Sequence, residues 1–283
     1  MHYYLAKVLN RLGFLKKVNT TVARRINGMT IHVPLVSGMG YDNLHISEVW
    51  MCQLLERIIS IKRGAFVDVG VNLGQTLVKL RTVDPTMEYL GFEPNPKCIY
   101  YCNALIEANN FKHCRLVPVG LFNEDTVLEL NLYSEGGIDS AASVINNFRP
   151  DQRVYQKIYV PVSRFDTVNH VLGITSMGFI KIDVEGAELE VLESLQTSIG
   201  LHRPILLMEI LPCYTKENTF RIHRQEKIEA ILKQLDYRII RIHKKENISI
   251  ENMETLQSIG IHGNMEWCDY VLSPSELTDR ILF

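Results

Sequence analysis

Residues 64–80, Gly64-Ala-Phe-Val-Asp-Val-Gly-Val-Asn-Leu-Gly-Gln-Thr-Leu-Val-Lys-Leu80, decide how the rest of this chain is read. Ala65 to Val69 is a short apolar, β-branched run entered from a glycine, and after it Leu77, Val78 and Leu80 fall at near-helical spacing. The stretch predicts a buried strand, a tight loop and a helix. In the loop, Asp68-x-Gly70-x-Asn72-x-Gly74-Gln75, the glycines permit positive φ and let a ligand lie against the backbone. The first turn of the helix offers unpaired N–H groups to something negative. A loop of this kind at the carboxyl end of a strand is a nucleotide-type cradle, placed where open α/β sheets hold their ligands.

Spacing and one acid further on narrow the choice of nucleotide. The dinucleotide fingerprint G-x-G-x-x-G is missing, since Asn72 stands two positions after Gly70 and the next glycine is Gly74. A second strand, Met87 to Phe92, ends in Glu93-Pro94-Asn95-Pro96, and an acid at that tip is placed to accept hydrogen bonds from ribose hydroxyls. Asp68 and Glu93 then frame an adenosine without phosphates, beside positive charge, with Asn95 a further cofactor contact. S-adenosylmethionine fits, through its cationic sulfonium and ammonium and a carboxylate for the helix N-terminus. A NAD-dependent Rossmann-fold oxidoreductase is the rival enzyme reading, and a non-catalytic glycan-binding module on the same fold is the third.

Taken in order, Asp68-x-Gly70-x-Asn72-x-Gly74, Phe92-Glu93-Pro94-Asn95-Pro96, Ile180-Lys-Ile-Asp183-Val-Glu185-Gly-Ala-Glu188 and Pro204-Ile-Leu-Leu-Met-Glu209-Ile210 resemble the FkbM-type methyltransferases over residues 64–273. The first motif is common to many class I methyltransferases, whereas the Lys-Ile-Asp-Val-Glu-Gly-Ala-Glu string is quite specific. The resemblance implies an S-adenosylmethionine-dependent O-methyltransferase acting on a sugar, glycan or related polyhydroxy compound. It also implies a serine-containing segment near the active site, here Ser134 to Ser143, which makes Ser140 and Ser143 candidate substrate contacts.

The remaining pattern fits an α/β chain with a Rossmann-like, mostly parallel sheet and an antiparallel edge. Lys97–Asn109 reads as a helix and Cys114–Val119 as the third strand, so strands and helices alternate as a parallel sheet requires. Gly120-Leu121 falls at that strand's tip, where an adenine ring would lie. Val127–Leu132 and Lys157–Val162 alternate like antiparallel strands, forming a β insertion over about residues 123–165. Met177–Asp183 is the fourth core strand, followed by a helix over Glu185–Leu195. Arg203–Ile210 is the fifth, followed by a helix over Arg221–Leu235. Tyr237–His243 and Trp267–Leu272 form an antiparallel pair at the sheet edge. Residues 63–283 make the catalytic domain and 1–62 an N-terminal extension, with a hairpin at Asn27-Gly28 and a helix over Ser47–Ile59.

Asp183, at the end of the fourth strand, is the leading candidate for general base or for orienting the acceptor hydroxyl; capping of the next helix is the alternative. Glu185 and Glu188 lie three apart on that helix, so both can face the cleft. Glu209 ends the adjacent fifth strand, and with Asp183 it offers oxygen ligands to a divalent metal. Clustered carboxylates without a metal raise one another's pKa, which suits a base. His262, in the glycine-flanked loop Gly260–Asn264, is a further candidate substrate contact.

Composition excludes other classes. A chain of 283 residues, 46% apolar, fits one elaborated α/β domain, and a net charge of −2 argues against nucleic acid as the partner. Six scattered cysteines signal neither a disulfide framework nor a zinc site, and no apolar run is long enough to span a membrane. The cytoplasm is the expected compartment. Residues 1–41 hold six cations, Lys7, Arg11, Lys16, Lys17, Arg24 and Arg25, and no acid until Asp42. With Leu5, Val8, Leu9, Leu12 and Leu15 at helical spacing, residues 3–17 predict a basic amphipathic helix. It either covers the sheet or pairs with a second subunit, or it is drawn to an anionic inner-membrane surface.

Overall fold

Every residue of Ala65–Val69 and of Met177–Ile182 is buried, as strands covered on both faces require, and these two strands lie side by side at the centre of the sheet. The computed structural model describes residues 3–45, 47–135, 139–146, 148–246 and 248–282. Helix α1 (Tyr3–Arg11) leads into the hairpin β1 (Thr20–Ile26) and β2 (Met29–Leu35), then helix α2 (Trp50–Ile61). The alternating core follows as β3 (Ala65–Val69), α3 (Gln75–Val83), β4 (Tyr89–Phe92), α4 (Pro96–Asn109) and β5 (Cys114–Val117). Next come β6 (Gly120–Leu121), β7 (Thr126–Leu132), β8 (Gln156–Ser163) and α5 (Phe165–Leu172). The second half holds β9 (Met177–Ile182), α6 (Glu188–His202), β10 (Ile205–Glu209) and α7 (Thr219–Gln234). The chain closes with β11 (Tyr237–Lys245), β12 (Ser249–Leu256), β13 (Asp269–Pro274) and α8 (Thr278–Leu282).

The main sheet has the order β12-β11-β13-β10-β9-β3-β4-β5. Its run from β10 to β5 is parallel, and β13, β11 and β12 add an antiparallel flank, so the α/β, mostly parallel architecture holds. Tyr237–His243 and Trp267–Leu272 do pair antiparallel, but β13 is wedged between β10 and β11, and the true edge is the unpredicted β12. The β12 sequence Ser-Ile-Glu-Asn-Met-Glu-Thr-Leu is half exposed along its length, so it carries little of the apolar alternation that marks a strand. Helices α2, α3 and α4 share one apolar cluster with α1, the hairpin and α8, whereas α5, α6 and α7 cover the opposite face.

Three boundaries differ from the sequence expectation. The third strand stops at Val117, and Gly120-Leu121 pairs with β8 in a separate three-stranded sheet, β6-β8-β7, instead of extending the main one. The expected helix over residues 3–17 ends at Arg11, followed by a single 3-10 turn at Leu15–Lys17. Helix α6 begins only at Glu188, because Glu185 and Gly186 both turn through positive φ, 53° and 112°. Glu185 is therefore outside the helix, and its approach to the cleft comes from a turn and not from helical spacing with Glu188.

Candidate active site

The tips of β3, β4 and β9 meet at one point because Gly70 allows it. Its φ is 89°, and a Cβ there would lie 1.9 Å from the carbonyl oxygen of Asp183, so any other residue would push the strands apart. The Gly70 N–H bonds to Phe92 O at 3.0 Å and the Asp183 N–H to Val69 O at 3.1 Å, which ties the three tips together. Beyond them opens a cleft of about 220 Å³, lined by Gly70, Asn72, Glu93, Asn95, Gly120 and Leu121 on one side and by Asp183, Glu185 and Glu209 on another. The insertion contributes Asp139, Ser140, Ala142 and Val144.

At the first side, Glu93 is held by the backbone. Asn72, at φ 49°, and Asn95 each donate an N–H to one of its oxygens at 2.8 Å, and the side chain is 7% exposed. Burial nonetheless pushes its pKa up to about 7 against those two donors. Each oxygen keeps a lone pair for a further donor, the property a ribose diol needs. Asn95 has a second task as N-cap of α4, accepting from the Lys97 N–H at 3.0 Å.

On the other side, oxygens of Asp183, Glu185 and Glu209 all lie within 4.8 Å of one another. Lys181, one residue pair inward on β9, reaches Asp183 at 2.8 Å and Asp68 at 3.9 Å. Burial would raise the Asp183 pKa, yet the Lys181 ammonium and its hydrogen bond outweigh it and hold the carboxyl below its ordinary value. Glu209 goes the other way, to about 10, through burial and the negative charges of Asp183, Asp269 and Glu185. Lys181 pairs with Asp183, Arg149 with Glu185 and Lys244 with Asp269; among the described residues Glu209 has no cation of its own. Burial and neighbouring negative charge thus favour the protonated form of Glu209, while Lys181 favours the charged form of Asp183. Glu185 is raised to about 7 by burial and by Asp183, against Arg149.

Several sequence candidates turn out to have other tasks. Asp68 is fully buried, does not line the cleft and accepts from the Tyr89 hydroxyl at 2.7 Å, because it lies inside β3, two residues before Gly70. Burial raises its pKa despite Lys181 and Tyr89. Gly74 is the positive-φ start of α3 packed against Leu105, and Gln75 lines a separate recess with Asn43 and Lys79. Neither borders the cleft. Ser140 does, but Ser143 is buried, bridged by backbone to Asn131 and bonded through Oγ to the Ile145 N–H. Residues 136–138 of that serine segment lie outside the described residues. His262 lies against Trp267 and Tyr270, away from the cleft. Asp183 does not cap α6: Glu188, buried, turns its carboxylate to the Gly186 N–H at 2.9 Å instead of to the cleft, and burial raises its pKa to about 7.

Lys181 and Arg149 are the site residues that the sequence reading passed over. Lys181 had a signal, since a lysine between Ile180 and Ile182 in a wholly buried strand needs a buried anion. Arg149 had none, because its partner is 36 residues away. The insertion is fixed over the turn that holds Glu185: Arg221 lies 4.3 Å over the Phe148 ring, and a Cβ on Gly186 would come within 2.7 Å of that ring.

The family model described as a methyltransferase FkbM domain matches residues 68–239. Methyltransferase 1 of Beauveria bassiana is 29% identical over 143 residues, which are 46% of this chain and 57% of the relative, so the chain spans little more than half of that protein. Among solved structures, the methyltransferase FkbM from Methylobacillus flagellatus KT superimposes with a TM-score of 0.45 at 16% identity, covering 75% of this chain and 43% of that one. The O-methyltransferase from Bacillus cereus does so with a TM-score of 0.43 at 9% identity, covering 79% and 80%.

Proposed function

The chain belongs to the FkbM methyltransferase family, and from that premise we propose that it methylates a hydroxyl oxygen of a sugar, glycan or related polyhydroxy compound, using S-adenosylmethionine. The observation that carries this reading is the pairing, in one cleft, of a Glu93 carboxyl held by two backbone N–H groups with an Asp183 that Lys181, 2.8 Å away, holds toward its charged form beside Glu209. Glu93 and Asn95 would hold the ribose, with Gly120 and Leu121 against the adenine, and the cleft's acids favour a cationic ligand. S-adenosylmethionine bound there supplies an electrophilic methyl group on sulfur.

The chain's own residues supply the rest. Methyl transfer to oxygen depends mostly on positioning, and an acceptor hydroxyl is a weak acid whose proton needs a taker. Asp183 takes that proton, while Lys181 keeps it charged beforehand and fixes its orientation. Glu209, carrying a proton, donates to Asp183 or to the acceptor and so excludes a second like charge from the reacting centre. Ser140 of the insertion, which borders the cleft, would contact the acceptor.

The same three carboxylates favour a second, metal-assisted reading, since Asp183, Glu185 and Glu209 offer the hard oxygen donors that Mg²⁺ takes. A bound ion would replace the Glu209 proton and lower the acidity barrier of the acceptor. The deciding experiment incubates the protein with methyl-labelled S-adenosylmethionine and a panel of free and linked sugars, after chelation and again with Mg²⁺. Mass spectrometry is expected to find one labelled methyl ether on a sugar. Label on nitrogen or carbon acceptors alone would discard the hydroxyl reading, and turnover unchanged by chelation would discard the metal.

A further inference from the structure

The N-terminal helix turns its apolar stripe outward. Ala6, fully buried, and the partly buried Tyr3 and Leu9 seat α1 on the core, while Leu5, Val8 and Leu12 are 51%, 52% and 60% exposed. Tyr4 shares that outer face, and the 50% exposed Phe14 follows it. At 100° per residue, Tyr4, Leu5 and Val8 form one strip, bordered on one side by Lys7 and Arg11, and the exposed Leu12 continues it just past the helix's end. Lys16 and Lys17 extend the charge beyond the helix. Ala6, Leu9 and the ring of Tyr3 anchor this helix, and Leu5, Val8 and Leu12 are left facing outward.

We propose that α1 docks the protein on an anionic lipid surface, with Tyr4, Leu5, Val8 and Leu12 entering the headgroup region and Lys7 and Arg11 meeting lipid phosphates. Charge complementarity decides for lipid. The whole chain has a net charge of −2 although residues 1–41 hold six cations and no acid, so the remainder is negative and the positive charge is gathered at this end. Arg24 is not part of the outer charge, because it lies 4.0 Å over the Tyr3 ring and donates to Leu44 O at 3.0 Å, holding the helix in place. A second copy is the weaker occupant, since apposing two identical strips would bring both sets of Lys7 and Arg11 together. No helix among the described residues is long and apolar enough to cross a membrane, and α1 has nine residues, a length that lies on a bilayer and does not span it.

The test is co-sedimentation of the full chain with vesicles of phosphatidylcholine alone and of phosphatidylcholine mixed with phosphatidylserine. Binding is expected only to the mixed vesicles, and it should weaken as salt rises. Lys7→Gln with Arg11→Gln, both at exposed positions, should reduce the partition roughly 30-fold. Leu5→Asp with Val8→Asp should abolish it, with melting of the variant checked by circular dichroism. Absence of binding, equal binding to both vesicle types, or an unchanged partition of the glutamine pair would overturn the proposal. So would a dimer in light scattering that Leu5→Asp with Val8→Asp dissociates, which would give the strip to a second copy.

Discussion

Glu93 and Asp183 are carboxylates at neighbouring ends of one cleft, and their pKa values move in opposite directions. Glu93 receives two backbone N–H groups at 2.8 Å, yet burial lifts it to about 7. Asp183 faces burial too, but a full cation 2.8 Å away carries it below its ordinary value. Neutral dipoles satisfy the geometry of a buried acid without balancing its charge, whereas an ammonium does both. The first arrangement suits a group that waits for a cationic ligand and hydroxyl donors; the second suits one that must be charged before the acceptor arrives.

The largest effect should come from the charged end. Asp183→Asn keeps the shape and removes the base, and kcat is expected to fall on the order of 10²- to 10⁴-fold with cofactor affinity nearly unchanged in calorimetry. More than about a tenth of wild-type kcat would pass the base role to Glu185 or Glu209. Next is the cation itself. Lys181→Met strands Asp183 and the fully buried Asp68, and unfolding by denaturant should show a loss toward the lower end of about 3–5 kcal/mol, since the Asp183 side chain is 35% exposed and water screens it. In the same variant the acidic limb of the kcat profile should move to higher pH; an unmoved limb would mean that Lys181 does not set the Asp183 charge.

A smaller effect is expected at the backbone-held end. Glu93→Ala should weaken S-adenosylmethionine binding by roughly 1.5–3 kcal/mol in calorimetry, the scale of hydrogen bonds to a charged group, while kcat at saturation stays close to wild type. Equal affinity would remove Glu93 from the cofactor site. The last concerns the ligand-free protein and pH. Glu93, Glu185 and Glu188 all sit near 7, above the unfolded value of about 4.3, so the folded state holds more protons between those limits. Their stabilising contribution is complete below about pH 4 and is lost as pH rises through 7. Stability read from thermal melts should decline by about 1.4 kcal/mol per pH unit for each of these groups, about 4 for the three together, from about pH 5 to 7. Asp183, with its lowered pKa, contributes the reverse, present above its unfolded value and lost in acid. A melting temperature that rises across that window would mean that the glutamates are ionised through partners, and the contrast with Asp183 would vanish.

How much of this was legible depends on how far apart the interacting groups lie in the chain. The strands β3, β4, β9 and β10 were readable because burial on both faces writes continuous apolar runs, and Asp183, Glu185 and Glu209 were readable as acids just after such runs. The edge strand β12 carries weak apolar alternation, and the helix α5 is amphipathic but only eight residues long; neither is part of the sequence reading. Asp68 and Glu93 look alike in the sequence, each an acid at the end of a strand. Only the packing of Tyr89 and Lys181 shows that one is interior and the other lines the cleft.

The sequence alone determined the alternating α/β order, the break from the dinucleotide fingerprint and the residues able to carry charge at the strand ends, since these are properties of local composition and spacing. Tertiary structure decided which acids meet, which is charged and which holds the proton, because a carboxylate's state is set by burial and by cations brought from elsewhere in the chain. It likewise turned Leu5, Val8 and Leu12 to the outside. An amphipathic stripe fixes that a helix has an apolar face, and the neighbouring packing of Ala6 and Leu9 chose which face the protein would cover.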